Sequence, residues 1–191
     1  MRKFFRILYF VFAIGLISLT MVRYTFSIVK SYSNYQINKE FEITEYLIYD
    51  QDYYEDFKFG IGNVADNGCG AVAMYNILKL EGKEVDFAQV IKDLEPFGTN
   101  ALGLLGTNPT FIYRYLKRQG LEVSIHFNDL EENAKKGKYV ILCTVDFNSG
   151  HYMTFYDRVD DKYSCLNPTL TNQEISTFIR EKALNFIYVI N

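Results

Sequence analysis

An uncharged apolar segment close to the N-terminus constrains the fold of this chain most. It runs from Ile7 to Val22 without Asp, Glu, Lys or Arg, and a run of about 20 apolar residues crosses a bilayer as a helix. Arg2, Lys3 and Arg6 precede it, and basic residues favour the cytoplasmic side of a membrane. The sequence therefore predicts a single-pass anchor in the cell membrane, with the rest of the chain extracytoplasmic.

Two alternatives exist for this segment. A cleaved signal peptide needs a small-x-small site after its apolar core, and the sequence from Ile17 to Arg23 offers only a poor one. A buried amphipathic helix has one polar face, whereas this run is apolar all round. We therefore expect residues 1–30 to form an uncleaved signal anchor or transmembrane segment.

The composition limits the kind of domain that the anchor can carry. The chain has 191 residues, of which 49% are hydrophobic and 23% charged, as expected for one globular domain with an appendage. A formal net charge of -3 gives no basic surface for nucleic acid. Three cysteines without a C-x-x-C pair and only two histidines provide no zinc-ligand spacing. Neither a metal nor an organic cofactor is expected.

The pattern of apolar residues changes along the chain from helical to strand-like. Residues 31–58 are polar and predict a stalk, with a possible short strand at Tyr46 to Tyr49, and residues 59–191 predict the folded domain. Helical spacing begins at Cys69, while Asp86 and Asn108 are typical helix caps. Further helices are expected at 87–94, 109–119, 129–136 and 173–182, and strands at 121–127, 138–147, 151–159, 163–166 and 186–190. This order predicts an α+β fold, with N-terminal helices packed on an antiparallel sheet.

Cys69 is the candidate nucleophile. It lies where a polar loop enters an amphipathic helix, and Asn67 is the expected cap of the first turn. The positive end of a helix dipole stabilises a thiolate, which is how cysteine becomes a nucleophile. Gly68 and Gly70 would let a substrate backbone approach the sulfur. The alternative is a buried core thiol without chemical function.

A nucleophilic thiol needs a base, and the base needs an orienting group. If a hairpin turns at residues 159–161, His151 and Asn167 are nearly opposite each other, and cross-strand partners lie about 5 Å apart. Asn167 could then hold the imidazole in one tautomer. Asp146 is a rival orienter. Taken singly, His151 also fits a surface histidine beside a turn, and Asn167 a strand terminator.

Together these motifs resemble a known family. Asn63-x5-Cys69-Gly70, Gly150-His151-Tyr152 and Asn167-Pro168 are similar to motifs of the bacteriocin-processing, double-glycine-leader cysteine peptidases of the papain-like clan. The resemblance implies a papain-like cysteine peptidase fold. It also implies that Cys69 is the nucleophile, His151 the general base and Asn167 the orienter, and that Asn63 donates to the oxyanion with the Cys69 N–H.

Two residues depart from the family pattern. Asn63 stands where the family has Gln, and Asn167 stands where it has Asp, although Asn is the orienter in the papain group. A donor displaced by about 1 Å can cost roughly 10²-fold in rate. The predicted function is a membrane-anchored papain-like cysteine peptidase that cleaves a peptide amide bond through a Cys-His-Asn triad. The alternatives are a catalytically weak or inactive peptide-binding domain and an acyltransferase using the same triad.

The expected partners depend on this interpretation. They are a peptide or protein substrate and the membrane, and no nucleic acid. The sequence contains no G-x-x-x-x-G-K-[ST] motif, which an ATP-binding cassette would carry. Any transporter that works with this domain is therefore expected to be a separate chain.

Overall fold

The structure is a computed structural model that describes residues 2–103, 106–145, 150–167, 175–179 and 184–191. In chain order the elements are α1 (Arg2–Asn38), β1 (Lys58–Phe59), β2 (Gly62–Asn63), α2 (Val64–Asn67), α3 (Cys69–Leu80), α4 (Phe87–Gly98), α5 (Pro109–Arg118), β3 (Val123–His126), α6 (Leu130–Ala134), β4 (Tyr139–Val145), β5 (Gly150–Val159), β6 (Lys162–Leu166) and β7 (Leu184–Ile190). Short 3-10 turns lie at Gln51–Tyr54, Ala101–Gly103 and Ile175–Phe178.

The main sheet has five strands in the order β3-β7-β4-β5-β6, and each neighbouring pair is antiparallel. The predicted α+β class and the predicted antiparallel succession of β4, β5 and β6 are confirmed. The sequence does not reveal that β7 lies between β3 and β4, because its register depends on contacts far apart in the chain. Of the predicted last helix, residues 175–179 are described, and Ile175–Phe178 form a 3-10 turn.

Both faces of this sheet are covered, and α3 is the centre of one of them. Ten of the twelve residues of α3 are buried, as expected for a helix that is apolar on nearly all sides. It packs with α4, α5 and one face of β4, β5 and β7 in one core cluster. A second cluster, which includes Leu142, Phe155 and Ile187, covers the other face. The buried α3 thus presents its N-terminus to the sheet.

The N-terminal helix α1 is longer than the predicted anchor. It continues without a break to Asn38. Among the described residues it is the one helix long and apolar enough to cross a membrane, judged by length and composition. None of its most apolar window is buried inside the structure. This is consistent with the predicted membrane segment.

The expected stalk at residues 31–58 is instead packed against the domain. Ile48, Gln51 and Phe57 are buried. The predicted strand at Tyr46 to Tyr49 does not form a ladder. Its backbone is held by a side chain, because Ile48 N–H donates to Asn76 Oδ1 and Asn76 Nδ2 donates to the Ile48 carbonyl, both at 2.8 Å.

Polar residues of α1 join it to the domain at helical spacing. The hydroxyl of Ser27 donates to the Glu95 carbonyl at 3.0 Å, and that of Ser31 to the Lys92 carbonyl at 2.9 Å. One and two turns further on, Asn34 donates to the Gly60 carbonyl, and Asn38 exchanges two hydrogen bonds with the backbone of Lys58. The end of α1 is therefore docked on α4 and β1.

Candidate functional site

Cys69 is the first residue of α3, as the sequence predicts. The cap differs from the prediction, because Gly68 is the N-cap residue and Asn67 ends the short helix α2. The side chain of Asn63 caps α2 instead, where its Oδ1 accepts a hydrogen bond from Asp66 N–H at 2.8 Å. The polar loop of the sequence is thus a separate helical turn that leads into α3.

The sulfur of Cys69 is enclosed by the start of β5. Cys69 is only 5% exposed, and its Sγ lies 4.0 Å from the carbonyl oxygen of Gly150. Burial raises the pKa of the Cys69 thiol, while hydrogen bonds from the backbone N–H groups of Tyr152, Gly70 and Cys69 itself lower it. Burial is the larger effect. The sequence predicts a thiolate at the helix N-terminus, but in this closed site the neutral thiol is favoured.

The glycines beside Cys69 are needed for packing inside the protein. A Cβ atom on Gly70 would lie 2.3 Å from Thr107 Oγ1 and 2.4 Å from Thr107 Cβ, and one on Gly68 would lie 2.6 Å from Val64. Real Cβ contacts are not this short, so a larger residue would displace its neighbours. The sequence suggests that these glycines leave room for a substrate. In the structure, the space beside Gly70 is occupied by Thr107 and the space beside Gly68 by Val64.

His151 is the second residue of β5, opposite Thr144 of β4. Its Nε2 atom lies 2.8 Å from the backbone oxygen of Asn167. A carbonyl oxygen can only accept a hydrogen bond, so Nε2 carries the proton and Nδ1 is the acceptor nitrogen of the neutral ring. This tautomer suits a general base.

The contact between His151 and Asn167 differs from the predicted one in register. Thr154 pairs with Leu166, so the residue directly opposite His151 would be number 169, which lies outside the described residues. Asn167 meets the imidazole diagonally, just after β6 ends, with a left-handed φ of 56°. Asn167 contacts His151, but the contacting atom is the carbonyl oxygen and not the side-chain amide of the sequence-based prediction.

The side chain of Asn167 is held by a residue that sequence reasoning missed. Its Nδ2 donates to Gln51 Oε1 at 2.8 Å, and its Oδ1 accepts from Gln51 N–H at 3.2 Å. Gln51 in turn donates from Nε2 to the Ala65 carbonyl at 2.6 Å. Both side chains are buried. A glutamine in a polar segment gives no signal of this role, because the contact spans more than a hundred residues.

His126, the other histidine of the chain, lies on β3 and bonds with Ser124 Oγ at 2.9 Å. Asp146, the rival orienter, and Pro168 lie outside the described residues. Among the residues that the structure does describe, no three His, Cys, Asp or Glu side chains are grouped as a metal site requires.

No protein-family model matches the sequence, and no curated protein sequence matches it. Among solved structures, the fold is similar to the peptidase domain of Streptococcus ComA, a bi-functional ABC transporter involved in a quorum sensing pathway. The TM-score is 0.47 and the identity 18%, over 64% of this chain and 89% of that one. A double glycine motif protease from an AMS/PCAT transporter, solved in complex with the leader peptide, is similar at a TM-score of 0.47 and 20% identity, over 64% of this chain and 84% of that one.

Proposed function

We propose that this chain is a membrane-anchored cysteine peptidase that cleaves a peptide amide bond through Cys69, with His151 as general base. One observation carries the proposal. The segment Gly150 to Tyr152 lies against the Cys69 sulfur, and His151 within it is fixed through Nε2 to the Asn167 carbonyl at 2.8 Å. A thiol at a helix N-terminus, a neighbouring imidazole and a group that fixes the tautomer are what thiol-based acyl transfer needs.

The proposed chemistry starts from the neutral thiol. His151 Nδ1 takes the thiol proton as Sγ attacks the carbonyl carbon of the substrate. The tetrahedral intermediate then collapses, the C–N bond breaks, and the imidazolium returns its proton to the leaving amine. Water, activated by the same imidazole, hydrolyses the thioester and restores the thiol.

The oxyanion would be stabilised by the backbone N–H of Cys69 together with the Asn63 amide. The Oδ1 atom of Asn63 accepts from Asp66 N–H, so the donor available to a substrate oxygen is Nδ2 of the same amide. The backbone N–H of Cys69 lies in the first turn of α3, and N–H groups in the first turn of a helix have no carbonyl partner within that helix. Removing one oxyanion donor typically costs about 10²–10³ in rate.

The same proposal includes a membrane anchor, the side of the membrane on which the domain lies, and its partners. Residues 1–30 would cross the membrane and residues 59–191 would carry the chemistry, with 31–58 supporting Asn167 through Gln51. The domain would lie outside the cytoplasm and act on a peptide, in company with a separate transporter. A reporter fused after Asn191 should be active only outside the cytoplasm, and activity on the cytoplasmic side would contradict this orientation.

A weak or inactive peptide-binding domain is the second candidate, and one observation favours it. Cys69 is almost fully buried and its pKa is raised by burial, so the resting site lacks a preformed thiolate. An acyltransferase would use the same residues and differ only in the acceptor that resolves the thioester.

A peptide that ends in Gly-Gly and carries a thiol-reactive warhead tests the proposal. It should label the wild-type chain and fail to label Cys69→Ala, while Cys165→Ala, which removes another buried thiol, should label normally. Cleavage of a Gly-Gly peptide should fall by about 10²–10⁴ in His151→Ala, as expected for the loss of a general base. His126→Ala is the matched control and should retain activity. Labelling without cleavage would favour the binding domain.

A further inference from the structure

Exposed apolar side chains surround the point where α1 meets the domain. Tyr24 and Phe26 of α1 are 42% and 49% exposed, Phe97 near the end of α4 is 62% exposed, and Ile61 between β1 and β2 is 47% exposed. The rings of Tyr24 and Phe97 are 5.5 Å apart. Phe26 and Ile61 line the same small cavity at the junction. These four residues, here called the collar, belong to three separate segments and form two exposed apolar pairs at the junction.

The distance from the collar to the apolar helix is fixed, because α1 has no break. The uncharged run ends at Arg23, and Ser27 is already hydrogen-bonded to the Glu95 carbonyl. Four residues of helix span about 6 Å. The headgroup layer on one side of a bilayer is about 5–7 Å thick. If α1 crosses the membrane up to Arg23, the domain begins within or at the edge of this layer.

We propose that the collar inserts into the lipid interface, so that the domain rests on the bilayer surface rather than above it on a stalk. This inference rests on the proposed membrane anchor. Aromatic side chains are favoured at the boundary between acyl chains and headgroups. Arg23 and Lys30 flank the collar and would face lipid phosphates. The docked end of α1 would then fix the orientation of the Cys69 site relative to the membrane.

Single tryptophans test the contact, because the chain contains none. The full chain would be reconstituted in phosphatidylcholine and phosphatidylglycerol vesicles with brominated acyl chains, which quench tryptophan at close range. Phe97→Trp and Ile61→Trp report on the collar. Phe12→Trp reports on α1 itself. Val159→Trp is the matched control, since Val159 is 63% exposed and lies at the end of β5 next to the β5–β6 turn.

The expected result is strong quenching of Phe12→Trp and clear quenching of Phe97→Trp and Ile61→Trp, several-fold above that of Val159→Trp. If Phe12→Trp is quenched while Phe97→Trp and Ile61→Trp match Val159→Trp, the anchor stands and the collar contact is wrong, as it would be if a protein partner covered this surface. If Phe12→Trp is not quenched, the anchor fails and the collar contact fails with it. Neither result would bear on the Cys69 chemistry.

Discussion

The Nε2 atom of His151 lies 2.8 Å from the backbone oxygen of Asn167, while the side-chain amide of Asn167 is bonded to Gln51. The backbone of Asn167 therefore fixes the imidazole of His151. The buried side chains of Asn167 and Gln51 fix that backbone in turn. Asn167 N–H also donates to the Tyr49 carbonyl at 2.9 Å. If His151 is the base, as proposed, Gln51 is a positioning residue that reaches it through Asn167.

Replacing Gln51 should therefore leave the imidazole of His151 less firmly positioned. In Gln51→Ala the Asn167 amide loses its side-chain acceptor, and an unsatisfied buried polar group costs about 1–3 kcal/mol. We expect a lower free energy of unfolding and a lower kcat with little change in KM, because Gln51 is buried and bonded to Asn167. Steady-state cleavage kinetics and urea unfolding measure the two effects. Gln89→Ala removes a half-buried glutamine whose hydrogen bond to Asp93 is exposed, and it should leave kcat unchanged. An unchanged kcat in Gln51→Ala would contradict the positioning role.

The pH dependence of Cys69 alkylation should reflect its burial. Because burial raises the pKa of Cys69, the thiolate should be scarcer at neutral pH than in a free thiol and should increase as the pH rises past 9. Iodoacetamide rates between pH 6 and 11, corrected with Cys69→Ala, measure this. We expect the rate to keep rising above pH 9. A plateau already below pH 7 would mean that an imidazolium of His151 stabilises the thiolate and overcomes burial.

The sequence predicts the parts of the site that depend on local pattern. The helix beginning at Cys69, the cap at Asn108 and the β5–β6 hairpin all follow from spacing and turn chemistry, and the structure contains them. The contacts that the sequence does not reveal are long-range ones. The bonds of Gln51 to Asn167 and of Asn34 to Glu95 depend on the final fold. The carbonyl contact to His151 depends on a strand register that differs by two residues from the one the turn position predicts.

Cys143 and Cys165 should remain unlinked under oxidising conditions. All three cysteines are among the described residues, and none is disulfide-bonded. Cys143 on β4 packs with α3, whereas Cys165 on β6 belongs to the cluster on the other face of the sheet. With β5 between them, the two residues are at least two strand spacings apart, about 9.5 Å, and their partners Tyr152 and Phe155 lie three residues apart along β5. This is beyond disulfide reach. Mass spectrometry of a non-reduced digest should show no linked peptide, and a linked one would contradict the strand order.

Gly70 should not tolerate a side chain while Thr107 is present. A Cβ atom on Gly70 would overlap Thr107, and overpacking costs about 1–3 kcal/mol. Gly70→Ala should therefore lower the free energy of unfolding, and Thr107→Gly in the same chain should recover part of the loss by clearing the space. A double-mutant cycle in urea measures the coupling. Strictly additive effects would show that the loss arises elsewhere.

The buried carboxyl of Glu95 should make the docking of α1 sensitive to pH. Its Oε1 accepts from Asn34 Nδ2 and Gly60 N–H, while Glu95 Oε2 and Asn34 Oδ1 have no hydrogen-bond partner in the part of the chain that the structure describes. Burial raises the pKa of Glu95, and its hydrogen bonds to Asn34 and Gly60 lower it by less. A raised pKa means that the protonated form is favoured in the folded state. The protonated carboxyl contributes its full stability below pH 4.5, the ordinary pKa of a glutamate. This contribution is lost as the pH rises through the pKa that Glu95 has in the folded state.

Glu95→Gln should remove this loss, because the amide stays neutral and can place a donor where the unpartnered Oε2 of Glu95 lies. We expect the Tm of the variant to exceed that of the wild type at pH 7 by about 2–4 °C for each kcal/mol recovered, and the two to converge near pH 4. Thermal unfolding of the full chain in detergent across this range measures it. Glu84→Gln removes an exposed carboxyl and should leave the profile unchanged. A Tm of Glu95→Gln below that of the wild type at pH 7 would mean that the charged form is stabilised at this junction and that the pKa of Glu95 is not raised.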